Sequence, residues 1–204
     1  YTDSYYESIS WQYQVLVWQN GGEMWDEKWQ PKFNSPEGIE ALQFMVDLVN
    51  KYKVATTAPP ENGFQQGKIA MIMDGTWMGK EYLSSLKDNL GTAPLPYNKE
   101  RATNTGGEHW MIVSSDESTE AATWEYVSYM LSEEVVTEIC SNGGQVPTRR
   151  SIAESQKFLD FANTQPAIKT SMESMEFARM RASSPNYSAA SEAISTYIQQ
   201  AIFG

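Results

Sequence analysis

Apolar and polar positions along this 204-residue chain recur mostly with a helical period, interrupted by a few short continuous apolar runs. From Ser4 to Asn20 aromatic and branched residues crowd together and stop at Gly21-Gly22, which predicts a helix ended by a residue free to take the left-handed conformation. A stretch with Trp25, Trp29 and Pro31 reads as a loop or short hairpin. Ser35-Pro36-Glu37 then supplies an N-cap, a first-turn proline and a first-turn carboxylate. Behind it Ile39, Leu42, Val46 and Val49, at spacings of three and four, predict an amphipathic helix of about four turns. Pro59-Pro60 breaks the chain, and a short helical piece around Phe64-Gln65-Gln66 leads into Ile69-Ala70-Met71-Ile72-Met73, a run short enough for a buried strand that ends at Asp74-Gly75.

A further helix is expected from Trp77 to Leu86, and a second strand from Gly91 to Pro96, stopped by its own prolines. The polar linker Tyr97 to Thr105 lacks an apolar period and marks a candidate crossing between lobes. Beyond it His109 to Val113 reads as a third strand, entered through Gly106-Gly107. Ser115 or Asp116 can cap a helix bearing Trp124, Val127 and Leu131, and Ser132 with Glu133 and Glu134 can start the next, closed by Gly143-Gly144. Ser151 with Glu154 has capping-box spacing for a third. After Pro166 and Pro185, Ser188 to Phe203 forms a last amphipathic helix with Ile194, Ile198 and Ile202 at intervals of four. The expected class is α/β with helices dominating and too few short strands to close a barrel.

Fifteen Lys and Arg against twenty-six Asp and Glu give a net charge of -11, and the longest basic run is the pair Arg149-Arg150. Such a surface offers a phosphate backbone no counter-charge, which argues against nucleic acid as a partner and against docking on anionic lipid. No apolar stretch reaches the length of a membrane span. Cys140 is the only cysteine, so an intramolecular disulfide and a multi-cysteine metal site are excluded; on a helix it reads as a small buried apolar residue.

Catalytic arrangements find little support. His109 is the only histidine, and no Gly-x-Ser-x-Gly elbow accompanies it. The glycine pairs lack the third spaced glycine of a dinucleotide fingerprint and the lysine of a phosphate loop, and no calcium-loop ladder is found. Carboxylates such as Asp74 and Glu108 leave glycoside chemistry open, although most acidic residues read as solvated faces or caps. Seven tryptophans and eleven tyrosines are the more informative excess. A flat indole suits the C–H face of a sugar ring while neighbouring polar groups take the hydroxyls. Trp18 and Trp124 lie on helix faces with other apolar residues and read as packing. Trp25 and Trp29 sit in a polar loop, as cover for an edge or as an exposed patch. Trp77 differs, because it follows the strand end Asp74-Gly75-Thr76, where α/β folds place ligand crevices.

Several stretches together resemble the C-terminal part of the extracellular solute-binding proteins of ABC importers, the family that includes maltodextrin-binding protein. They are Gln19-Asn20-Gly21-Gly22, Ser35-Pro36-Glu37-Gly38-Ile39-Glu40-Ala41-Leu42 through Asp47-Leu48-Val49, and Phe64-Gln65-Gln66-Gly67-Lys68-Ile69-Ala70-Met71 with Asp74-Gly75-Thr76-Trp77. Ala93-Pro94-Leu95-Pro96, Gly106-Gly107, Glu120-Ala121-Ala122 and Gly143-Gly144-Gln145-Val146-Pro147-Thr148-Arg149 extend the likeness in the same order. The resemblance implies a type II periplasmic-binding-protein fold, a Venus flytrap whose two α/β lobes close on a carbohydrate by hinge motion and hand it to permease subunits in the membrane. It implies no reaction, no cofactor and no metal, and a place outside the cytoplasmic membrane as a periplasmic protein or a cell-surface lipoprotein.

By the same resemblance, residues 1–104 and 162–204 form the C-terminal lobe and 105–161 belong to the N-terminal lobe. The family's front part is missing here, leaving helices from Ala121 to Phe161 without a sheet to cover. The expectation is a fragment, a nicked chain whose N-terminal part is elsewhere, or a domain-swapped assembly. Trp77 matches an aromatic that stacks on sugar and Trp11 an aromatic contact on the first helix. Gly107, Glu108 and His109 match the interlobe segment lining the cleft, with Glu108 able to accept paired hydroxyls, and Arg181 and Tyr187 match a cleft-facing stretch near the last helix. A glycan-active enzyme and a lectin-like surface module are the competing readings.

Overall fold

The computed structural model describes residues 6–113, 116–181 and 183–204. Its centre is helix α1 (Tyr6–Gln19), which carries apolar residues on more than one face and is covered accordingly. Tyr13, Val15, Val17 and Trp18 pack there with Met24, Ala41, Ala102, Ile194 and Ile198. The helix ends as its glycine pair predicts: Gly21 takes φ +79° and its N–H donates to the Trp18 carbonyl, while the Gly22 N–H donates to Val17. Those two crossed bonds satisfy carbonyls that would otherwise be orphaned at the helix end.

Helix α2 (Pro36–Asn50) starts at Ser35, whose Oγ accepts from the Gly38 N–H, with Pro36 in the first turn. It docks on α1 through the Tyr13 hydroxyl, which donates to the Gly38 carbonyl at 3.1 Å, and through the Asn20 amide, which donates to the Glu37 carbonyl at 2.9 Å. A single 3-10 turn (Thr76–Met78) opens α3 (Gly79–Leu86).

Strand β1 (Thr103–Thr105) is followed by α4 (Glu117–Met130), which Asp116 caps, and by α5 (Glu133–Gly143), which Ser132 caps and Gly144 closes at φ +68°. Short helices α6 (Arg150–Ala153), α7 (Gln156–Ala162) and α8 (Pro166–Ser174) precede strand β2 (Ala178–Met180), and α9 (Tyr187–Phe203) ends the chain. A second core joins Cys140, Phe158, Ala162 and Ile168 from α5, α7 and α8. On the other side, α9 lies along α1, where the hydroxyls of Ser10 and Ser191 meet at 2.5 Å.

The helices follow the sequence closely, with three exceptions: the helical piece expected around Phe64-Gln65-Gln66 is a run of turns, and two more lie in the second half. Ser151 is not a cap: Arg149 holds that position for α6, and Ser155 caps α7 by accepting from the Phe158 N–H. Helix α8, begun at Pro166, answers to a proline read only as a break. Trp124 is likewise corrected from packing residue to surface, being 60% exposed on α4.

The strands differ more. None of Ile69–Met73, Gly91–Pro96 and His109–Val113 is a strand, and Met71, Met111 and Val113 are each more than four-fifths exposed. Among the described residues the ladder that forms is parallel, β1 beside β2, with Thr103 opposite Ala178, Asn104 opposite Arg179 and Thr105 opposite Met180, and a lone antiparallel bridge joins Trp25 to Pro31. An apolar run gains from the extended state only where a neighbouring edge takes its amides and a facing layer takes its side chains. The linker residues Thr103–Thr105 have both: β2 takes their backbone bonds, and α1 covers them from above.

Candidate ligand-binding site

The site grows out of the contact between α1 and β2. Trp11 and Trp18 are seven residues apart on α1 and therefore share a face, and Arg179 and Arg181 are two apart at the end of β2 and therefore point the same way. The helix and the strand run antiparallel, so the two pairs meet in rungs. The Arg179 guanidinium lies 4.7 Å from the Trp18 ring and pairs with Glu23 at 2.7 Å. Arg181 lies 5.3 Å from the Trp11 ring, 5.0 Å from the Tyr187 ring, and pairs with Glu7. The first rung is buried at Trp18; in the second, Trp11 and Tyr187 are half-buried.

The chain leaving β1 passes directly over Trp11. Asn104 Nδ2 donates to the Trp11 carbonyl at 3.0 Å, and at Gly106 an added Cβ would meet the outer carbon of the indole at 2.9 Å. Glycine is what allows that passage. Gly107, Glu108 and His109 follow, all exposed. Gln145 Nε2 donates to a Glu108 carboxylate oxygen at 3.4 Å. Gln145 follows Gly144, where an added Cβ would stand 2.8 Å from the Thr76 carbonyl oxygen and 3.3 Å from the Trp77 Cα. Segment 104–108 thus connects two groups, one made of Trp11, Arg181 and Tyr187 and the other of Glu108, Gln145 and the backbone at Trp77.

Trp77 sits on the 3-10 turn before α3, with its ring folded back over Gly75. The turn is fixed from below: Asp74 accepts from the Gly75 N–H at 2.7 Å and from the Tyr82 hydroxyl, and Tyr82 stacks edge-on against Phe64 at 5.0 Å. The residue is 65% exposed, beside 60% for Trp124 and 51% for Trp110.

Burial, and then the nearby Glu108 carboxylate, push the Cys140 thiol up from its ordinary value. That keeps it protonated and unreactive, in line with its reading as a small buried residue. Among the described residues no three His, Cys, Asp or Glu side chains come together to hold a metal, and no helix is long and apolar enough to cross a membrane. What the arrangement offers is apolar ring faces beside acceptors and amide donors, which is a binding chemistry.

Of the residues read from sequence, the structure brings Trp11, Arg181 and Tyr187 into contact and sets Glu108 against Gln145. His109 lies exposed beside Glu108. Glu7 and Gln145 were not anticipated. The spacing of Glu7 to Trp11, one helical turn, carried a signal for the first; Gln145, behind a glycine pair, carried none.

The chain belongs to the family of bacterial extracellular solute-binding proteins, whose model matches residues 2–137. It is similar to the maltooligosaccharide ABC transporter solute-binding lipoprotein of Streptococcus pneumoniae, 27% identical over 164 residues, 74% of this chain and 34% of that protein. Among solved structures, the cyclic alpha-maltosyl-1,6-maltose binding protein of Arthrobacter globiformis superposes with a TM-score of 0.82 at 29% identity, over 98% of this chain and 51% of that one. An ABC transporter solute-binding protein of Thermotoga lettingae bound with alpha-D-tagatose gives 0.78 at 27%, over 96% and 51%. The chain therefore spans about a third of the curated relative's length and about half of the solved structures'. The fold is that of the type II periplasmic-binding proteins, as the sequence resemblance implied. These relatives are solute-binding proteins rather than enzymes.

Proposed function

We propose that this chain is part of the substrate-binding component of an ABC importer, and that the whole receptor captures a mono- or oligosaccharide outside the cytoplasmic membrane and delivers it to permease subunits. The observation that carries this reading is Trp77, 65% exposed on a turn whose Asp74 accepts from the Gly75 N–H and from the Tyr82 hydroxyl. An exposed ring on a fixed base presents a stacking face at little cost in ordering on binding. Trp11 and Tyr187 offer further apolar faces, Glu108 an acceptor for paired hydroxyls, Gly107 a close backbone approach, and His109 a donor at the edge. Family membership and the sugar ligands named for the relatives support the same reading.

In this reading residues 1–104 and 162–204 belong to the C-terminal lobe and 105–161 to the N-terminal lobe, so the cleft is lined where segment 104–108 crosses between them. Closure of one lobe on the other buries the sugar, and no bond is made or broken. A lipid anchor or periplasmic retention would keep the receptor beside its permease.

The test is calorimetric titration of a library of neutral sugars into the complete receptor. At least one mono- or oligosaccharide is expected to bind, and Trp77→Ala to weaken that binding by about 30-fold or more, the loss of about 2 kcal/mol typical of a buried aromatic anchor. Unchanged affinity in Trp77→Ala would remove the ring from the site. New reducing ends after incubation with oligosaccharides would replace the receptor by a glycan-active enzyme.

A further inference from the structure

We infer that Glu7 and Arg181 are positioning residues: their ion pair holds the Trp11 and Tyr187 rings as one wall of the sugar site, and Arg181 does not itself bind the sugar. The inference rests on the sugar-receptor reading above and goes beyond it in assigning Glu7 a role and in taking Arg181 off the ligand.

The geometry supplies the reason. Glu7 and Trp11 lie one turn apart on α1, so the carboxylate and the indole project side by side. The Arg181 guanidinium arrives between them from the end of β2, near both the Trp11 ring at 5.3 Å and the Tyr187 ring at 5.0 Å, while Glu7 takes its charge. A guanidinium is a flat plate whose edge donates and whose faces stack. Here its charge is taken by Glu7 and two aromatic rings lie close to its central carbon, which leaves less of it for a hydroxyl. Gly106 leans on the outer edge of the same indole, so Trp11 is held from the strand side and from the linker side.

The pair is solvent-exposed, with side chains 43% and 52% accessible, and exposed ion pairs contribute little to folding. Its effect should therefore fall on ring orientation and not on stability. The other rung provides an internal control. Arg179 and Glu23 make the same pairing over Trp18, but Trp18 is buried in the core and faces no ligand.

The experiment uses the complete receptor with maltotriose as probe, in wild type, Glu7→Gln, Arg181→Met, the double variant and Glu23→Gln. Glu7→Gln and Arg181→Met should each weaken binding by about fivefold, the double variant by no more than the worse single, as for residues acting through one contact. Melting temperatures should stay within about 2 °C. Glu23→Gln should bind as wild type. The indole N–H resonance of Trp11, assigned with Trp11→Phe, should shift in Glu7→Gln without ligand.

Loss of affinity in Arg181→Met with Glu7→Gln unchanged would show that Arg181 touches the sugar and would overturn the inference. An unmoved Trp11 resonance in Glu7→Gln would also overturn it. If wild type ignores maltotriose, the sugar reading fails for that probe, and the ligand-free resonance still decides whether Glu7 positions Trp11.

Discussion

Tyr13 shows at the level of one residue how burial becomes a dependence on pH. Its ring is buried at the centre of the first core and its hydroxyl donates to the Gly38 carbonyl. Burial disfavours the phenolate and raises the Tyr13 pKa above 10.0. Above the ordinary tyrosine value the unfolded chain gives up this proton while the folded chain keeps it, so the folded state binds more protons and stability falls as pH rises. The contribution is fully present below about pH 10 and is lost through the alkaline range. Urea unfolding should therefore show a steeper alkaline loss for wild type than for Tyr13→Phe. At neutral pH the variant should be weaker by about 1 kcal/mol, because the Gly38 carbonyl loses the Tyr13 hydroxyl as a second donor. At Gly106 the same scale meets the site: Gly106→Ala places a methyl 2.9 Å from the Trp11 ring and should lower sugar affinity in the complete receptor with little change in melting temperature. Calorimetry beside a thermal scan checks both halves. Neither Tyr13's partner nor Gly106's neighbour was legible in sequence, since each lies on a different element.

Among the elements, the helices were legible and the strands were not, and the physics of their ends explains the division. Ser35, Asp116, Ser132 and Ser155 each accept a backbone N–H three residues on, a bond made wholly within the local chain. Because the signal and its partner are separated by one turn, a reader of sequence sees both. The miss at Ser151 fits the rule: two serines stand four residues apart, and Ser155 is the cap, ahead of an apolar stripe with Phe158 at its centre that buries against α5 and α8. Replacing Ser132 by Ala should cost about 1 kcal/mol in urea unfolding, the usual value for a cap, while Ser151→Ala should cost less than half as much. Strands carry no such local partner. The apolar run Ile69–Met73 encodes the ability to be extended, but its neighbour would have to come from elsewhere in the chain, and the pairing that forms goes instead to the polar Thr103–Thr105. For the site the same division holds: Trp11 enters only through the family resemblance and Trp77 through it and a strand end that does not form, while Glu7 and Gln145 depend on how α1, β2 and the α5 end come together.

For the whole molecule, the consequence lies in what those unpaired runs leave on the surface. Trp110 is 51% exposed, and Met111 and Val113 beyond it are more than four-fifths exposed in a stretch outside any ladder among the described residues. Met71 and Ile72 present a second such run, and Trp124, Tyr126 and Tyr129 add aromatic surface on α4. A short apolar segment with unpaired backbone groups is a template for pairing with another chain. The net charge of -11 opposes contact, but its range shortens with salt: the screening length falls from about 10 Å at 0.1 M to about 3 Å at 1 M. Burying apolar area is favoured at either ionic strength, so the balance should tip toward association as salt rises. Light scattering on the 204-residue chain should therefore report a mass that grows with concentration, and grows faster in 0.5 M than in 0.05 M sodium chloride. Val113→Lys should suppress the growth, because a charge inside the run breaks it in the way natural edge strands do. Glu117→Gln, only four positions on but in the first turn of α4, should leave the growth intact. If both variants raise association equally, net charge alone governs it and the run at 110–113 is not the contact. If Val113→Lys alone abolishes it, the segment that reads as a strand in the sequence is the one that seeks a partner in the folded chain.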